Sequence, residues 1–101
     1  MNGQKLCDAI KGKKQAKISY EGHTRTINPH LIGIHKDTGN KVLRAYHVEG
    51  FSSSGDKPGW RLFSINKIGN VQVFDTNFKT QQGYNPNDKV ISEFICRIEP
   101  N

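Results

Sequence analysis

Apolar residues along this chain recur mostly at every second position, in short runs that turn residues interrupt. That is the period of a half-buried β-strand. Lys17-Ile18-Ser19-Tyr20 alternates in this way, Glu21-Gly22-His23 reads as a turn, and Thr24–Asn28 resumes the pattern with β-branched residues. Pro29 is expected to interrupt the pairing there, marking an edge or a strand end, because it has no N–H to donate. Leu31–Ile34 is a short apolar piece in which Gly33 permits a bend or bulge. Lys36-Asp37-Thr38-Gly39-Asn40 predicts a hairpin turn into a strand over Lys41–Val48. Leu43, Ala45 and His47 share one face of that strand, and Val42, Arg44, Tyr46 and Val48 the other; alternation leaves open which faces the core. Glu49–Gly59, with three glycines, three serines and Pro58, predicts a mobile or functional loop. Trp60–Ile65 then reads as a strand with Arg61, Phe63 and Ile65 on one face and Trp60, Leu62 and Ser64 on the other. Asn66–Asn70 turns the chain into a last strand, Val71–Phe74, and Thr76–Phe78 leads into a polar loop through Asn87.

Two stretches carry helical spacing instead. Leu6, Ala9 and Ile10 predict a short amphipathic helix over Gly3–Lys11, stopped by Gly12. Val90, Ile91, Phe94, Ile95 and Ile98 form one apolar stripe behind a capping Asp88, which predicts a helix over 88–98. The expected fold is mainly β: a small, strongly bent antiparallel sheet of five to six strands with a short helix at each end, in one domain spanning 1–101.

Composition changes this picture in three ways. Hydrophobic residues make up 34% of the chain, which predicts a small core. Fifteen Lys and Arg against nine Asp and Glu leave a net charge of +6, which favours anionic partners. No apolar run approaches the roughly 20 residues that span a bilayer, and the first residues lack the apolar region of a signal peptide. A cytoplasmic protein is therefore expected, with no membrane partner and with Cys7 and Cys96 as reduced, buried thiols.

The order Leu6…Ala9-Ile10, then Ile18-x-Tyr20-x-Gly22-x-x-Arg25-x-Ile27-x-Pro29-x-Leu31, resembles the opening of a WYL domain. Leu43-Arg44-Ala45-Tyr46 and Arg61-Leu62-Phe63-Ser64-Ile65-Asn66-Lys67-Ile68 continue the likeness, which covers residues 6–78. Lys41-Val42-Leu43 stands where the family reads Trp-Tyr-Leu, so only the leucine is kept. The resemblance implies an Sm-like small β-barrel, a regulatory role often tied to bacterial or phage defence, and binding of nucleotide-type ligands or single-stranded nucleic acid on a basic surface. Arg25, Arg61 and Phe63 match the family's basic and aromatic positions, and Tyr20 and Tyr46 its further aromatic ones. The chain before Gly12 is too short for a DNA-reading helix-turn-helix.

The residues themselves point the same way. Arg25 and Arg61 both lead into an inward apolar register, and a guanidinium keeps its charge. They are expected either to hold an anion bidentately or to sit at the rim, paired with Glu21, Glu49 or solvent. Tyr46, Trp60 and Phe63 offer rings for base stacking; Arg44, His30 and Tyr20 complete the candidate ligand set. The four histidines, expected mostly at the surface, lack metal-ligand spacing. Ser52-Ser53-Ser54 has no nucleophile elbow around it, and no phosphate-binding Gly-Lys-Ser loop is present. The reading is a non-enzymatic binding module without metal or cofactor. The alternative is an accessory or inhibitor subunit that binds a protein partner. Short sheet edges leave room for a homodimer.

Overall fold

The computed structural model describes residues 2–50 and 57–99; the loop reading of 49–59 falls largely outside them. Helix α1 (Asn2–Gly12) is followed by strands β1 (Lys14–Tyr20), β2 (His23–His35), β3 (Lys41–Gly50) and β4 (Gly59–Ser64), a 3-10 turn (Ile65–Lys67), β5 (Ile68–Asn77) and β6 (Ile91–Arg97). The six strands form one antiparallel sheet in the order β4-β3-β2-β1-β5, with β6 also paired to β2. No ladder joins β4 to β5 among the described residues, so the sheet remains open between its ends.

The turns follow from backbone chemistry. Glu21 and Gly22 both take positive φ, 52° and 77°, as the two-residue loop of a tight hairpin requires. Gly39, with φ 72°, donates its N–H to the His35 carbonyl in the β2–β3 turn. At the end of α1, Lys13 with φ 51° breaks the helix and bonds back to the Ile10 carbonyl.

The long strand β2 organises the sheet. One of its edges pairs with β3 over Arg25–Ile34. Its other edge pairs first with β1, through Ile27, and then with β6, from Leu31 onward. Pro29 therefore marks neither an edge strand nor a strand end, contrary to what its missing N–H suggested. It lies between the β1-paired and β6-paired halves of one edge and, on the other, faces Ala45 of β3 beside a register shift that interrupts the ladder. Gly33 sits at a shift in the β2–β6 register, and a Cβ there would meet the Glu93 carbonyl oxygen and Ile91 Cγ2, each at 2.5 Å.

The helix expected over 88–98 is instead β6. Its apolar spacing suits a helix, but Ile91, Ile95 and Ile98 are β-branched, and the second half of β2 offers an unpaired edge that they complete. Phe94 and Ile95 consequently stay exposed, while Ile91, Cys96 and Ile98 turn inward.

The core lies on the concave side, where α1 contributes Leu6 and Ile10, and the strands contribute Ala16, Ile18, Ile27, Ile32, Leu43, Ala45 and Phe63. This resolves the ambiguity of β3: the Leu43, Ala45 and His47 face is the inner one. Cys7 of α1 and Cys96 of β6 are joined in a disulfide, 89 residues apart in sequence, rather than held as reduced thiols. The strand that replaced the expected helix brings Cys96 against α1. Among the described residues no helix is long and apolar enough to cross a membrane.

Candidate functional site

Alternation along β3 and β4 sends Arg44, Tyr46, Trp60 and Leu62 to the convex face, with Tyr46 opposite Trp60 and Arg44 opposite Leu62. The Tyr46 and Trp60 rings meet edge to face, 5.6 Å between centroids. The loop after β5 crosses this face and lays Tyr84 almost parallel to Trp60, at 6.3 Å and 26°. His30 fills the space beneath, 4.8 Å from the Trp60 ring and 5.1 Å from Tyr84. Arg44 Nε donates to Asp88 Oδ2 at 2.8 Å, and Asp88 Oδ1 accepts the Val90 N–H, so one carboxylate ties loop to sheet. A cleft of about 180 Å³ remains, lined by Arg44, Trp60, Gly83, Tyr84, Asn85 and Asp88. Gly83 has φ 92°, and a Cβ on it would come 3.1 Å from the indole nitrogen, so glycine lets the loop close on Trp60.

The polar groups of this face are set by their bonds. The Gln81 N–H donates to His30 Nε2, which leaves Nδ1 as the donor to the Asn28 carbonyl, 2.7 Å away. Burial pulls the His30 pKa down to about 4, and the Lys13 charge adds to this; the bond to Asn28 opposes it. His30 is thus a neutral, fully buried prop under the aromatic cluster, not the surface histidine expected. The Tyr84 hydroxyl donates to the Ile98 carbonyl at 2.7 Å, and burial pushes its pKa up to about 12.

The other expected residues gather on the concave face. Tyr20 and Phe63 pack edge to face at 4.9 Å, and the Arg25 guanidinium lies over both rings, 5.2 and 5.5 Å from their centroids. Arg25 is only 4% exposed. Among the described residues it forms an ion pair with Glu21 at 3.8 Å, longer than a hydrogen bond. Arg61 makes no ion pair among the described residues; it donates to the carbonyls of Trp60 and Lys57 at 3.1 and 2.8 Å. Arg25 thus has the Glu21 pairing expected as the alternative to an open anion site, and Arg61 has no carboxylate partner among the described residues.

The eight expected residues therefore divide between two faces: Arg44, Tyr46, Trp60 and His30 line or support the convex cleft, and Tyr20, Arg25, Arg61 and Phe63 belong to the concave side. Reading the sequence missed Tyr84, Gly83 and Asn85, which lie in a stretch read only as a polar loop, and it took Asp88 for a helix cap. Their one signal was an aromatic residue directly after a glycine. His47, also missed, is buried with both ring nitrogens unpartnered. Compared with known proteins, the chain matches no family model, no curated protein and no solved structure.

Proposed function

We propose that the protein is a non-catalytic module that binds a nucleotide-type ligand or single-stranded nucleic acid, seating one base in the cleft between Trp60, Tyr84 and Arg44. The observation that carries this is two near-parallel rings beside a guanidinium and a carboxylate, in a space of about 180 Å³. That volume is smaller than the usual roughly 300–1,000 Å³ of a whole small-molecule site, so it suits one ring system. Asp88 already balances Arg44, which favours a neutral base over a phosphate in the cleft itself. Lys57 and Lys89 are exposed and close in sequence to Trp60 and Asp88, and supply cations for a phosphate outside it. We read the bent sheet as Sm-like, as the likeness to WYL domains implies.

Base–aromatic stacking contributes about 1–3 kcal/mol per base, so Trp60→Ala weakens binding about 5- to 150-fold. Calorimetric titration with nucleoside monophosphates and a mixed single-stranded oligonucleotide tests this; equal dissociation constants for both proteins would overturn it.

One observation favours the alternative of a protein-binding accessory. Phe94 and Ile95 are exposed on β6, and Ile95 borders a groove of about 660 Å³ shared with α1 and the 3-10 turn. A photo-crosslinker at position 95 gives a discrete protein adduct in the native cell if this reading holds, and none if the surface is bare.

A further inference from the structure

The groove that Ile95 borders also reaches one end of the disulfide. It holds about 660 Å³ and shares no lining residue with the convex cleft. Ile32, Ile65, Ile68 and Ile95 give it apolar walls, and Cys7 stands in the same lining. Lys41 is the one charged residue there. Its side chain is exposed and makes no ion pair among the described residues.

The two sulfurs are unequally placed. Cys7 is partly exposed and borders the groove. Cys96 is 9% exposed, belongs to the core cluster and does not border the groove. A thiolate opens a disulfide only at a sulfur it can reach. The groove gives that access to Cys7 and not to Cys96. Its volume falls within the roughly 300–1,000 Å³ of small-molecule sites, so it admits a thiol with a substantial body. The unpaired ammonium group of Lys41 in the same lining favours a thiol that carries carboxylates.

We propose that Cys7 is a thiol-exchange site for a small acidic thiol of the glutathione class, independent of what the convex cleft binds. The incoming thiolate attacks Cys7 Sγ, and the Cys7–Cys96 bond breaks. Its electron pair leaves on Cys96 Sγ, which takes a proton from water. The small thiol is oxidised into a mixed disulfide on Cys7, and Cys96 is reduced to a buried thiol. Leu6 and Ile10 of α1 share the core with Cys96, so packing keeps the two cysteines adjacent, and the bond closes again when the thiol is withdrawn. To test this, the oxidised protein is mixed briefly with reduced glutathione, quenched with acid and mapped by peptide mass spectrometry. The folded protein carries glutathione on Cys7 and a free thiol on Cys96, whereas protein in denaturant carries it on either cysteine. Lys41→Gln slows exchange with glutathione about 2- to 5-fold, the effect of losing an exposed ion pair, and leaves exchange with uncharged mercaptoethanol unchanged. Glutathione on Cys96 as often as on Cys7 in the folded protein, or no adduct until the protein is unfolded, would overturn the site. Equal slowing of both thiols by Lys41→Gln would overturn its preference for an acidic thiol.

Discussion

Breaking the Cys7–Cys96 bond is the perturbation whose size the structure fixes best. The bond closes a loop across 89 residues and fastens β6 to α1. In the chain-entropy treatment such a cross-link removes about 15 cal/mol/K from the unfolded ensemble, or about 4.6 kcal/mol at 25 °C. Measured values for disulfides more often fall near 2–4 kcal/mol, because the unfolded chain keeps some structure. A domain of this size shifts its melting temperature by about 4–8 °C per kcal/mol, so reduction lowers the midpoint by about 10–30 °C. Scanning calorimetry of the air-purified protein, with and without a phosphine reductant, reads this directly. The Cys7→Ala/Cys96→Ala double variant separates the bond from the reagent. The loss begins locally: β6 pairs with β2 alone, so its amides lose hydrogen-exchange protection before those of β2 and β3. Two titratable thiols in the native oxidised preparation would refute the reasoning, as would midpoints that agree within a degree or two.

Three further outcomes follow from the packing. His30 binds a proton less readily when folded, its pKa falling from 6.5 to about 4, so between those values the unfolded state holds more protons and stability rises with pH. Urea titrations should show about 3 kcal/mol lost on acidification from pH 7 to pH 4, with a flatter profile in His30→Gln; equal slopes in the two proteins would contradict this. Gly33→Ala places a methyl group against the Glu93 carbonyl and Ile91, at a cost of about 1–3 kcal/mol, checked by chemical denaturation. Asp88→Ala removes the tie between Arg44 and the loop, and should weaken nucleotide binding without moving the melting temperature by more than a few degrees; unaltered affinity would separate the loop from the site.

The parts of this fold that are legible in the chain are those set by neighbours in sequence. Glu21-Gly22 and Gly39 supply the positive φ that hairpins need, and the alternation of Leu43, Ala45 and His47 marks a strand before its inner face is known. Leu6, Ala9 and Ile10 give the helix that the structure has. What depends on distant partners is not legible. The residues of β6 carry a helical spacing, and only the open edge of β2, sixty residues earlier, decides for a strand. The disulfide depends on that same decision. In the candidate site Trp60, Tyr46 and Arg44 are legible as candidates from their rings and charge, and only the pairing of β3 with β4 sets them on one face. Tyr84 and Asp88 come from a loop whose path no local pattern specifies. Arg25 was identified as inward, but its seat over Tyr20 and Phe63 required the hairpin and β4 to meet.

Trp60 is the only tryptophan in the chain, so its fluorescence reports on the convex cleft alone. Titration with nucleoside monophosphates and short single-stranded oligonucleotides should give a saturable change in emission, with affinity weakened in Arg44→Ala and Tyr84→Ala. Emission that stays constant across the whole panel would contradict the assignment of this cleft as a base-binding site.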